Sequence, residues 1–180
     1  MVDSGKCSDF DAVVIGAGFA GLGMLWRLRE DLGMTTKVYE TGSGVGGTWY
    51  WNRYPGARCD SESYMYCLTF SKELLQDWNW SGKYPEQPEI MSYLNHVADR
   101  FNLRRDIQFN TRVTSAKFRE ADNLWEVETD QGDRVTAQYL GQATLGADGS
   151  LQNYTAGHPF SVEQIDSATP DKAGLMIGWN

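Results

Sequence analysis

The segment Val13-Val14-Ile15-Gly16-Ala17-Gly18-Phe19-Ala20-Gly21 constrains this chain more than any other, because it sets a G-x-G-x-x-G hexad between two periodic stretches. The apolar run Val13-Val14-Ile15, bounded by Asp11 and Gly16, reads as a buried parallel strand. From Phe19 to Leu32 the apolar residues Ala20, Leu22, Met24, Leu25, Leu28 and Leu32 recur at helical spacing, and Gly33 supplies the stop. Thr36 to Tyr39 reads as a second strand ending on Glu40. Strand, helix and strand within about 30 residues make one βαβ unit with parallel strands.

The hexad matters for what its backbone can approach. Gly16 permits the tight turn, Gly18 lets main chain come close to a pyrophosphate, and Gly21 lets the helix pack against the sheet. Phe19 and Ala20 open that helix, whose free N–H groups and partial positive charge face the phosphate. Glu40 follows Gly16 by 24 positions. A carboxylate there accepts hydrogen bonds from ribose hydroxyls and repels a 2′-phosphate, so the unit is expected to hold FAD or NAD rather than NADP. The bland alternative is a solvated acid that closes a strand. Next comes Thr41-Gly42-Ser43-Gly44-Val45-Gly46-Gly47, a second glycine pair beside the first, which favours FAD because more backbone can approach a long dinucleotide.

From Thr41 to about Ser63 the pattern reads as a long loop of glycines and aromatics. Pro88 opens a second helix at its first turn, with Ile90, Met91, Leu94, Val97, Ala98 and Phe101 as its apolar face and an end near Asn102. The next stretch alternates like antiparallel sheet: Ile107 and Phe109, Val113 to Phe118, Trp125 and Val127, then Val135 to Leu140. Asp130-Gln131-Gly132-Asp133 is the turn before the last strand. Beyond it the tail is poor in periodicity and reads as weakly structured.

Length and charge bound the rest. The chain has 180 residues with 13% aromatics, enough for one domain with a real core. Its formal net charge of −8 argues against nucleic acid as a partner. No apolar run is long enough to cross a membrane, and a polar, acidic start argues against a signal peptide, so a cytoplasmic protein is expected. The three cysteines, Cys7, Cys59 and Cys67, are too few and too irregular for a disulfide framework or a zinc site, and no metal is expected. Cys59 and Cys67 read as fillers, and His96 as an exposed or packing residue; His158 has no nameable partner.

The run Gly46-Gly47-Thr48-Trp49-Tyr50-Trp51-Asn52-Arg53-Tyr54-Pro55-Gly56-Ala57-Arg58-Cys59-Asp60 resembles the flavin loop of class B flavin monooxygenases of the Baeyer–Villiger type. The likeness continues through Gln87-Pro88-Glu89-Ile90, Tyr93 to Phe101 and Arg112 to Ala116, covering roughly residues 8 to 140. It implies an α/β fold, a Rossmann-like FAD-binding βαβ domain with an antiparallel β-meander, incomplete at its C-terminal end. On this reading residues 8–145 are a partial FAD-binding domain and 146–180 a divergent tail. The resemblance places Thr48, Trp49, Trp51, Asp60 and Tyr66 against the flavin, together with Gly47. Glu40 takes the adenosine ribose, Val113 meets the adenine end through its backbone, and Arg58-Cys59-Asp60 faces the nicotinamide dinucleotide. Asp60 and Arg58 are the catalytic candidates. The same aromatics have a plainer reading as local core.

By the same resemblance, NADP(H) reduces the flavin and oxygen is inserted next to the carbonyl of a ketone-type substrate. The family's second G-x-G-x-x-G, its fingerprint and the arginine opposite Asp60 have no counterpart here, so a partner chain carrying the NADPH domain is expected if the chain is active. The alternative is a non-redox FAD-binding or scaffolding remnant. The likeness stops where Gly141 and Gln142 replace apolar strand residues and Leu145 interrupts Ala-Thr-Gly, a change of the kind made by truncation, intron read-through or a shifted frame.

Overall fold

A computed structural model describes residues 8–142. The elements run in the order β1 (Phe10–Ile15), α1 (Phe19–Trp26), β2 (Thr36–Tyr39), α2 (Thr48–Trp51), α3 (Lys72–Asp77), α4 (Gln87–Arg100), β3 (Ile107–Gln108), β4 (Val113–Arg119), β5 (Leu124–Thr129) and β6 (Arg134–Gln142). All six strands join one sheet in the order β3-β2-β1-β6-β5-β4. The β1-β2 pair is parallel, Val14 opposite Val38 and Ile15 opposite Tyr39, as the βαβ reading requires. β4, β5 and β6 form an antiparallel meander.

The strand β6 belongs to both halves. Its first residues pair antiparallel with β5, and its later residues pair parallel with β1, so that Ala137 faces Trp125 on one side and Phe10 on the other. Strand alternation sorts β1 between two cores. Val14 packs with α1 and α4 through Leu22, Leu25, Ile90, Leu94 and Val97. Val13 packs on the opposite face with Tyr39, Trp125, Val127 and Leu140. The fold class is α/β with a mixed sheet.

Four local expectations change. β3 pairs parallel with β2 and is only two residues long, not a member of the antiparallel set, because α4 returns the chain to the same end of the sheet before it re-enters. The first helix does not run unbroken to Leu32: a π-helical turn occupies Arg27–Asp31, where Arg29 donates to the Phe101 and Asn102 carbonyls and to Asp106. The loop after Glu40 contains the single turn α2, and α3 follows at Lys72, capped by the Ser71 hydroxyl accepting from Leu74 N–H. Finally, Gly141 and Gln142 do not end the last strand but pair with Val14 and Ile15. A Cβ on Gly141 would meet the Met24 sulfur, so the thioether of α1 fills the volume that a larger strand residue would take. The divergent tail and His158 lie outside the described residues.

Two carboxylates tie β1 to its neighbours. Asp9 accepts from the backbone and hydroxyl of Thr136 at 2.7 and 2.8 Å, and Asp11 accepts from the backbone and hydroxyl of Thr35, both at 2.7 Å. Backbone donation from Thr136 lowers the Asp9 pKa most, and donation from the Thr35 hydroxyl lowers that of Asp11 most. Their folded pKa values lie below the unfolded ones. Their stabilisation is therefore present above the ordinary carboxylate range and lost as pH falls through the folded values. The melting temperature should drop on acidification below about pH 4, and Asp9→Asn with Asp11→Asn should flatten that acid limb in a pH series of thermal melts. In the core, Gly141→Val should cost about 1–3 kcal/mol in urea unfolding by overpacking Met24, and adding Met24→Ala should recover part of it.

Candidate cofactor site

The two glycine loops meet at the C-terminal ends of β1 and β2. Gly16 N–H donates to the Tyr39 carbonyl at 2.8 Å, and Gly46 N–H donates to the Ala17 carbonyl at 2.9 Å. A Cβ on Gly18 would sit 3.3 Å from the Gly47 Cα, and one on Gly47 would sit 2.9 Å from the Gly18 Cα. Gly47 also holds φ at +54°, which a side chain disfavours. Two backbones thus lie in van der Waals contact, leaving the N-terminus of α1, capped by Gly18 without a side chain, open to a phosphate.

Glu40 is buried beside them, 5% exposed. Ala17 N–H donates to its Oε2 at 2.7 Å and Gly42 N–H to its Oε1 at 2.6 Å. A carboxylate offers about four lone-pair sites, so two remain for hydroxyl donors after the backbone has taken its share. The solvated-acid reading is excluded by this burial. On its outer side, Glu40 and Gly42 carbonyls accept from Thr111 and Asn110 N–H at 2.9 and 3.0 Å. That pairing carries the chain along the Glu40 side of the loops into Val113, which begins β4 and is buried in the second core.

The aromatics divide. Trp49 is buried, and its indole N–H donates to the Tyr66 hydroxyl at 3.0 Å. Tyr66 meets Phe19 edge-on at 4.6 Å between ring centres, which joins Trp49 and Tyr66 to the first turn of α1. Burial, with Cys59 and Asp60 nearby, pushes the Tyr66 phenol up against the opposing effect of the Trp49 hydrogen bond, so it stays neutral at pH 7. Tyr50 lies over the second loop: a Cβ on Gly42 would strike its ring at 2.9 Å, one on Gly44 would only touch it at 3.6 Å, and its hydroxyl meets Ser43 at 2.7 Å. Trp51 and Tyr54 face solvent at 55% and 63% exposure, Trp51 edge-on to Tyr50 at 4.8 Å between ring centres.

The catalytic candidates lie at the rim of this cluster, Asp60 near enough to the Tyr66 phenol to act on it. Arg58 and Asp60 are exposed, with Arg58 paired to Glu86 across an isolated antiparallel bridge. Cys59 is buried between them, its N–H donating to the Pro85 carbonyl at 3.0 Å, and is a packing residue. Cys67 is half-buried, and burial pushes its thiol up, away from nucleophile chemistry. His96 packs tilted against Trp78 at 5.4 Å. Thr48, which heads α2, is exposed.

Sequence reading did not identify the groups that hold the loop in place. Gln87, at the start of α4, donates its side-chain amide to the Trp49 carbonyl at 2.6 Å and its backbone N–H to the Ala57 carbonyl at 2.9 Å. The Met91 sulfur packs on Gly46, 2.6 Å from where its Cβ would stand. Neither has a signature in the sequence, since each acts across a long-range contact. Among the described residues no group of three or more His, Cys, Asp or Glu is arranged to hold a metal, and no helix is long and apolar enough to cross a membrane.

Comparison with known proteins agrees with this geometry. The family described as NAD(P)-binding Rossmann-like domain matches residues 14–79. A Baeyer–Villiger monooxygenase of Pseudooceanicola batsensis is 53% identical over 133 residues, 74% of this chain and 24% of that protein. A phenazine N-monooxygenase of Lysobacter antibioticus is 49% identical over 140 residues, 78% of this chain and 26% of that protein. The solved structure of an oxidized steroid monooxygenase bound to NADP superposes with a TM-score of 0.74 at 59% identity, covering 76% of this chain and 26% of that one. The chain thus spans about a quarter of the length of the relatives it matches.

The contact between Gly18 and Gly47 is directly testable. Gly47→Ala should destabilise the chain by about 1–3 kcal/mol in urea unfolding, through backbone strain and collision with Gly18.

Proposed function

Across about three quarters of its length this chain is a homologue of the Baeyer–Villiger flavin monooxygenases, and on that footing we propose that it binds FAD through its two glycine loops and Glu40. The observation that carries the proposal is the pair of backbones in contact at Gly18 and Gly47 beside a buried carboxylate. The residues fit the group. A pyrophosphate needs close backbone approach and free N–H donors, which the start of α1 offers, and a ribose needs an acceptor, which Glu40 retains.

When bound, FAD supplies redox and oxygen-transfer chemistry. This chain's residues bind and orient it. Gly16, Gly18, Phe19, Ala20 and Gly21 cradle the pyrophosphate, Glu40 accepts from the adenosine ribose, and the Val113 backbone borders the adenine. Gly47, Thr48, Trp49, Trp51, Asp60 and Tyr66 border the flavin ring, with the neutral Tyr66 phenol fixed by Trp49. Arg58 and Asp60, exposed on either side of buried Cys59, form with it the face toward NADP(H), and Asp60 orients a cationic group supplied from outside the described residues. The reaction of the assembled enzyme is NADPH- and oxygen-dependent insertion next to the carbonyl of a ketone-type small molecule, the NADPH-binding part coming from polypeptide beyond these residues or from a partner chain.

A second reading follows from the exposure of Arg58 and Asp60, which leaves the nicotinamide face open: the chain by itself binds FAD without redox turnover. Titrating the purified chain with FAD and following flavin fluorescence separates the outcomes. Saturable quenching is expected, and both Gly16→Ala and Glu40→Arg should abolish it; retention of flavin by both variants sinks the site assignment. Bleaching of the bound flavin by NADPH with the chain alone would reject the second reading.

A further inference from the structure

We propose that Glu40 is a positioning residue that pre-forms both glycine loops before any dinucleotide arrives, a role separate from its contact with a ribose and resting on the FAD reading above. The loops need such a device. Glycine-rich backbone loses more conformational freedom on ordering than any other, and a loop that orders only on binding weakens affinity by that amount. Here the two loops are joined at three places. Ala17 uses both its backbone groups across the gap, its carbonyl accepting from Gly46 N–H at 2.9 Å and its N–H donating to Glu40 at 2.7 Å. The other Glu40 oxygen takes Gly42 N–H at 2.6 Å, so one carboxylate bridges the first loop to the second. Gly18 and Gly47 then close against each other.

The carboxylate is itself held from behind. Glu40 N–H donates to the Gln108 carbonyl and its carbonyl accepts from Thr111 N–H, both at 2.9 Å, which fixes its backbone at the end of β2. Both side-chain bonds are charge-assisted and short, the strong kind. No other side chain among the described hydrogen bonds links the loops in this way. A glutamine here would present one amide N–H₂ to a backbone N–H, losing one bond and setting donor against donor, while its volume would not change.

The test separates the clamp from the ribose contact by changing the ligand as well as the protein. FAD and an FAD analogue lacking both adenosine ribose hydroxyls are titrated into the chain and into Glu40→Gln, and amide hydrogen exchange of the unliganded chains is followed by NMR. In the unmodified chain the Ala17 and Gly42 amides should exchange at least about tenfold more slowly than exposed loop amides. In Glu40→Gln they should exchange at least about tenfold faster, and the variant should bind the analogue at least about tenfold more weakly. Weakened FAD binding with the analogue unaffected would overturn the proposal, because Glu40 would then act only through the ribose. Unprotected Ala17 and Gly42 amides in the unmodified chain would overturn it too, and that measurement decides the matter if the glutamine variant does not fold. Failure of the unmodified chain to bind either ligand removes the FAD reading, and the exchange result then decides the clamp alone.

Discussion

The bridge from Glu40 to the backbones of Ala17 and Gly42 is the interaction on which the rest of the site depends. It converts two flexible glycine loops into one surface, with the N-terminus of α1 at its centre. Every other feature of the site is placed relative to it. The segment before Val113 runs along its outer side through Asn110 and Thr111, and Phe19 carries the contact to Tyr66 and Trp49 on the other side. A buried charge is costly unless it is satisfied, and here the satisfying groups are the N–H donors that must be held still.

The aromatic loop around Trp49 shows how a second element fixes what the first cannot. α2 is a single turn with no side-chain N-cap, too short to be stable alone. Gln87 holds its Trp49 carbonyl, Met91 packs beneath Gly46, and Pro85 and Glu86 engage Cys59 and Arg58. The start of α4 is thus the support on which residues 49 to 59 rest. This explains why Trp49 and Trp51, two positions apart in one aromatic run, have opposite fates. One turn of helix points Trp49 inward to Tyr66 and leaves Trp51 in solvent.

Much of the site was legible before the fold was known. The hexad, Glu40 and the second glycine pair are local in sequence, and their meaning rests on backbone geometry that only glycine and a well-placed acid provide. Gln87, Met91 and Tyr50 were not legible in these roles, because an amide, a thioether and a phenol carry no positional signal until a distant loop arrives beside them. The same limit applies to β3 and β6. Alternation shows a strand but not its partner or direction, so β3 was expected among antiparallel neighbours and lies parallel to β2. The last strand was likewise expected to end at Leu140, whereas Gly141 and Gln142 continue it and a methionine one layer away completes the packing at Gly141.

What the sequence alone determined is the βαβ unit and its dinucleotide chemistry, since turn, helix start and acid are set by residues within about 30 positions of each other. What only the tertiary structure decided is that the Glu40 carboxylate accepts from two backbone N–H groups, and that β6 welds the meander to β1. It also decided that the catalytic candidates Arg58 and Asp60 are left open to solvent. The physical reason is range. Local conformation follows from local sterics, but a buried carboxylate, a shared strand and an exposed ion pair are defined by which distant segments come to lie against them, and that is settled by packing.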